Sequence, residues 1–153
     1  MRRTMLSLLA AACVGLVSTS AGAQANDDRT VRITVRSGAL PDKDAIRVDQ
    51  DRLVFQPGRR GRITWQIDTG EYEFDNDGGK LGIVIYELGR ETDPPNKNFK
   101  GKADTEFACS SLTGNRFHCD NKNTGRGFYW YEIRLKEKAT GRRRSSDPII
   151  LNL

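Results

Sequence analysis

The fold is decided by one stretch, Phe107-Ala-Cys-Ser-Ser-Leu-Thr-Gly-Asn-Arg-Phe-His-Cys119, followed after a polar turn by Gly127-Phe-Tyr-Trp-Tyr-Glu-Ile-Arg-Leu135. Along Tyr129, Tyr131, Ile133 and Leu135 every second residue is apolar, which places these side chains on one face of an extended strand. Phe128, Trp130, Glu132 and Arg134 fall on the other face, apolar at one end and charged at the other. A helix would scatter both sets, and the aromatic and β-branched content favours a strand. The segment therefore predicts the central strand of a sheet, its Tyr/Ile/Leu face inward and Phe128 and Trp130 partly covered.

Cys109 and Cys119 flank the turn signal Thr113-Gly114-Asn115. Short strands over Thr105–Cys109 and Arg116–Cys119 would pair as a hairpin with the sulfurs facing. A structural disulfide is the expected state in an oxidising compartment. Redox chemistry of the thioredoxin kind uses Cys-x-x-Cys at a helix start, which this spacing is not.

The compartment follows from the N-terminus. Arg2 and Arg3 precede an apolar run over Met5–Val17, and Ala21-Gly22-Ala23 or Ala23-Gln24-Ala25 offers small residues for cleavage. The run is too short to span a bilayer. A twin-arginine signal fits only loosely. A lipoprotein site at Ala11-Ala12-Cys13 is disfavoured because the apolar run continues past it. Residues 1–25 read as a cleaved export signal of bacterial type, and residues 26–153 as one periplasmic domain. Removing 25 of 153 residues leaves 128, and losing Arg2 and Arg3 lowers the formal charge from +5 to +3. That charge is too mild to indicate nucleic acid. Basic clusters at Arg59-Arg60-Gly-Arg62 and Arg142-Arg143-Arg144 lie in turns and read first as solvated loop tips; the alternative is an acidic envelope partner, such as lipid headgroups, a polyanionic cell-wall polymer or an envelope protein.

Other segments extend the β pattern. Val31, Ile33 and Val35 alternate, as do Ile63, Trp65 and Ile67, which makes Trp65 a core residue. Arg52–Phe55 is a short strand closed by Gln56-Pro57-Gly58. Leu81–Leu88 is the most continuously apolar strand. Gly89–Lys102 reads as a long polar connection and a candidate recognition loop. Glu137–Ser146 reads as a polar turn, and Ile149–Leu153 as a last strand returning along the aromatic one. Eight or so short strands, no long helix and one staple give an all-β sandwich or barrel.

Trp65 on an early strand, with Gly127-x-Tyr129-x-Tyr131 entering a late one, resembles immunoglobulin-like and cupredoxin-like sandwiches. In the former, a tyrosine placed as Tyr129 is here turns back to the preceding corner. The chain departs from that pattern at Tyr131, where the family has a cysteine. A blue-copper site would need two histidines, a free thiolate and usually a methionine. The mature chain holds only His118, so no cofactor is expected. Phe107-x-Cys109, Phe117-x-Cys119-x-Asn121-x-Asn123, Gly127-x-Tyr129-x-Tyr131-x-Ile133 and Asp147-Pro148-Ile149-Ile150-x-Asn152 resemble a group of small exported bacterial proteins of uncharacterised activity. The resemblance implies the fold and export and brings no activity with it.

Function is read mainly by exclusion. One histidine, no nucleophile elbow and no phosphate loop argue against an enzyme. His118 and Cys119 are adjacent on a strand and point to opposite faces. The favoured expectation is a non-enzymatic binding or structural protein, with Arg59, Arg60, Phe128, Trp130, Arg142 and Arg143 as candidate binding residues. The alternative is a calcium or other metal carrier using Asp75, Asp77 and Glu87. Asp75-Asn-Asp-Gly-Gly79 matches a calcium loop only in part, because the twelfth position is Tyr86, and a tight turn explains it as well.

Overall fold

The computed structural model describes residues 26–36, 45–79, 81–89 and 99–153. The expected signal segment and most of the Gly89–Lys102 connection lie outside them. Among the described residues twelve strands form two sheets: β1 (Arg29–Val35), β2 (Ile46–Val48), β3 (Arg52–Phe55), β4 (Gly61–Ile67), β5 (Tyr72–Phe74), β6 (Ile83–Leu88), β7 (Phe99–Lys102), β8 (Phe107–Thr113), β9 (Arg116–Asn121), β10 (Gly127–Glu137), β11 (Arg143–Ser146) and β12 (Ile149–Asn152). One sheet runs β2-β1-β4-β9-β8 and the other β3-β12-β10-β6-β7, with β5 and β11 also pairing with β10. The count exceeds the eight or so read from sequence. The strands added are short: β2 and β5 have three residues, and β7 and β11 arise within stretches that read as polar connections.

β10 is the hub. Its first half lies between β12 and β6, and its second half between β11 and β5. Tyr129, Tyr131, Ile133 and Leu135 are buried, and Phe128, Trp130, Glu132 and Arg134 are half-buried, the alternation its sequence dictates. Across the interface Trp65 meets Tyr131 with ring centroids 5.2 Å apart, and Phe74 meets Phe117 at 5.5 Å. Val31, Ile33, Ile63 and Ile67 complete that side of the core. Two pairings are parallel, β1 with β4 and β12 with β3.

Cys109 and Cys119 are directly opposed on β8 and β9, their Cα atoms 4.0 Å apart, and form a disulfide. Cys119 is fully buried, so the bridge is packed into the core. No helix among the described residues is long and apolar enough to cross a membrane.

Candidate functional site

The two ends of β10 are built differently. At the Gly127 end, the inward face of β9 runs Phe117, Cys119, Asn121, so an apolar stripe ends on an amide. Asn121 and Asn152 exchange side-chain hydrogen bonds, Asn121 Nδ2 donating at 2.9 Å and Asn152 Nδ2 at 3.3 Å. Asn121 Oδ1 also accepts the Asn123 backbone N–H at 3.0 Å, which fixes the chain as it leaves β9. Asn123 adopts φ +46°, a conformation asparagine tolerates better than most residues. Its Nδ2 donates to the Gln56 carbonyl at 2.6 Å and the Arg59 carbonyl at 2.9 Å. The turn carrying Arg59 and Arg60 is thus tied to the start of β10. Buried Glu106 accepts from Thr124 N at 2.7 Å and Thr124 Oγ1 at 2.6 Å.

Tyr129 closes this cluster. Its ring folds back over Gly127, where a Cβ would lie 2.4 Å from the Tyr129 hydroxyl. Any side chain at 127 would displace the ring. Burial, with the nearby Glu106 and Glu87 carboxylates, raises the Tyr129 hydroxyl to about 12.

Outside this cluster lies a hollow of ≈ 460 Å³. Leu88, Phe128 and Leu151 are aligned across β6, β10 and β12 and share the outer face of the sheet. Arg52, Glu87 and Arg126 stand around them. One step along the strands, Trp130 stacks on Tyr86 with centroids 5.0 Å apart. The hollow is thus lined by apolar side chains together with two arginines and the carboxylate of Glu87.

At the Glu137 end, the fastening is ionic. Asp75 is buried and takes Arg143 Nε at 2.7 Å, while Lys136 Nζ reaches Asp77 at 2.9 Å and Glu73 at 3.2 Å. The hydrogen bond and charge of Lys136 hold the Asp77 carboxyl below its ordinary range. Gly78 turns with φ +67° between Asp77 and Gly79.

The candidate binding residues therefore separate. Arg59, Arg60 and Phe128 lie at the Gly127 end, and Trp130 is next along the same outer face. Arg142 and Arg143 lie at the other end, with Arg143 engaged by Asp75 and Asp77. Of the carrier candidates, Asp75 and Asp77 lie together around Arg143, and Glu87 does not join them. Phe74 pairs with Leu135 and Glu87 with Tyr129, so Glu87 stands six β10 positions, about 20 Å, from the neighbourhood of Asp75. No group of three or more potential metal ligands occurs among the described residues. His118 is half-buried on β9, and its Nε2 lies 3.3 Å from Ser110 Oγ.

Glu106, Asn121, Asn123, Asn152, Arg52 and Arg126 were not among the residues singled out as a site. The i, i+2 run Phe117, Cys119, Asn121, Asn123 carried a signal, since a core face that turns into amides announces a buried polar cap. Arg52 and Arg126 gave none. No protein-family model matches the chain, and no curated protein matches it.

Proposed function

We propose that this is an exported periplasmic protein of the cell envelope that binds a partner or ligand without transforming it. The outer face of β6, β10 and β12 at the Gly127 end is its binding surface. The observation that carries the reading is the hollow lined by Phe128, Leu88 and Leu151 together with Arg52, Arg126 and Glu87. The mild positive charge of the domain and the basic turn at Arg59-Arg60 favour an anionic partner, of the cell-wall-polymer or envelope-protein kind. The acids of the interior support the non-enzymatic reading. Glu106 is held by Thr124 and Asp75 by Arg143, so each carboxylate fastens structure rather than facing an open cleft. The carrier reading draws no support from the placement of Asp75, Asp77 and Glu87. The resemblance of the second half of the chain to small exported bacterial proteins agrees with this assignment.

Native mass spectrometry of the protein purified gently from its own periplasm tests the reading. The expected species starts at Gln24 or Asn26, carries the disulfide, and retains an anionic ligand or partner that Phe128→Ala and Arg126→Ala release. A full-length chain beginning at Met1, or a retained partner indifferent to both substitutions, would overturn it.

A further inference from the structure

Each sheet of an open sandwich ends in strands whose outer N–H and C=O groups lack a neighbouring strand, and proteins commonly blunt such edges. Among the described residues six strands pair on one side only, and five of them are blunted; β5 has three residues, and β11 has four and begins with two arginines. β2 has only three residues. β3 has four and begins with Arg52. β7 has four residues and ends on Lys102. The sixth, β8, has seven residues, Phe107-Ala-Cys-Ser-Ser-Leu-Thr113, with neither charge nor proline, and its register shift against β9 falls at the Ser111/Thr113 end. Among the described residues it pairs only with β9.

The close Cα approach of Cys109 to Cys119 marks that pair as non-hydrogen-bonded with respect to β9. The N–H and C=O of Cys109, and by alternation those of Ser111, therefore point to the open edge. Two further features converge on this strand. Among the described residues, the exposed large hydrophobics are Leu112, 49% exposed on β8, and Leu81, 40% exposed. Leu81 lines a groove of ≈ 380 Å³ with Val84, Arg134 and the Phe107–Cys109 segment of β8.

We propose that β8 is a self-association edge that pairs antiparallel with β8 of a second copy, joining their five-stranded sheets. The strand is self-complementary. Centred on Ser110, a two-fold axis sets Cys109 opposite Ser111 of the partner copy, so their outward backbone groups bond reciprocally. This exchange falls on the part of β8 that keeps a regular register with β9, from Phe107 to Ser111. With no charge in the strand, no like-charged pair opposes the match. A foreign strand would not need this symmetry.

The test is a reciprocal charge exchange at Ser110, an exposed position that would face itself across the axis. Sedimentation of the full mature chain over a concentration series is expected to show a monomer–dimer equilibrium. Ser110→Lys alone and Ser110→Glu alone should each weaken it, raising the dissociation constant on the order of fivefold. An equimolar mixture of the two variants should restore association as the mixed dimer. Hydrogen exchange at the Cys109 and Ser111 amides should slow as the dimer forms. A chain that stays monomeric at every concentration would overturn the proposal. So would a dimer unaffected by either variant, or one in which those amides exchange as fast as in the monomer. Protection of β8 only when another protein is added would assign the edge to a foreign strand and also overturn it.

Discussion

β10 enters the sandwich through a buried cluster of amides and leaves it through a set of ion pairs, and each end contains one buried carboxylate. Glu106, at the Gly127 end, is satisfied by the backbone and hydroxyl of Thr124. Asp75, at the Glu137 end, is satisfied by the long side chain of Arg143, itself largely exposed. Both ends do the same mechanical work of tying a turn to the sheets. The chemistry follows access to water. Neutral amides need no counter-charge when enclosed, and once enclosed they are costly to leave unpaired. Ion pairs at a wet surface tolerate exposure but contribute little and are screened by salt. The Gly127 end should therefore be the rigid one, as a binding surface requires, and the Glu137 end the tolerant one.

The disulfide sets the scale for this contrast. Replacing Cys109 and Cys119 together by serine should cost about 3 kcal/mol through unfolded-state loop entropy. Denaturant midpoints measure it, and a double variant that melts like the parent would remove the staple from the account. Asn121→Ala comes next, at about 2 kcal/mol, since it leaves both the Asn123 N–H and Asn152 without their partner. Its cost should be the same in low and high salt. A strong salt dependence would erase the distinction between the two ends.

Tyr129→Phe sharpens the contrast on the alkaline side. The folded hydroxyl titrates near 12, above the ordinary value of about 10, so the stability linked to it is complete below pH 10. It is lost as the pH rises toward 12. The phenylalanine variant should show a shallower alkaline decline in thermal midpoint over that window, and an unchanged slope would place the hydroxyl in water. On the acid side the sign reverses. Asp77, held low by Lys136, and Asp120, held low by Arg62, support the fold above the ordinary carboxylate range near 4. That support fades as the pH falls through their depressed values. Asp77→Asn should flatten the acid limb of the stability profile.

Lys136→Ala should have the smallest effect, a small drop in midpoint at low salt that vanishes at high salt. Urea midpoints at two ionic strengths would check it. A loss as large as that of Asn121→Ala would mean that the ionic end is not the tolerant one.

Much of the candidate site was only half legible. Phe128 and Trp130 could be placed on the outer face because strand alternation is local and β10 states it clearly. The floor they share with Leu88, Tyr86 and Leu151 depends on register between strands far apart in sequence. Glu106 and Asn152, 46 positions apart, meet only because β8 begins and β12 ends at the same pole. Arg143 read as a free basic turn, and β11 brings it instead to Asp75.

By itself, the sequence determined that the domain is all-β, that Tyr129, Tyr131, Ile133 and Leu135 face inward, that Trp65 is core, and that Cys109 and Cys119 bridge a hairpin. These properties follow from a two-residue period and short loops, which act within a few residues. The tertiary structure decided that β1 runs parallel to β4 and β12 to β3, that β10 bridges four other strands, and which edge remains open and uncharged. It also decided that the amides gather at one pole and the ions at the other. Strand order and register are selected by the joint burial of distant apolar faces, a balance over the whole chain that no local window of residues contains.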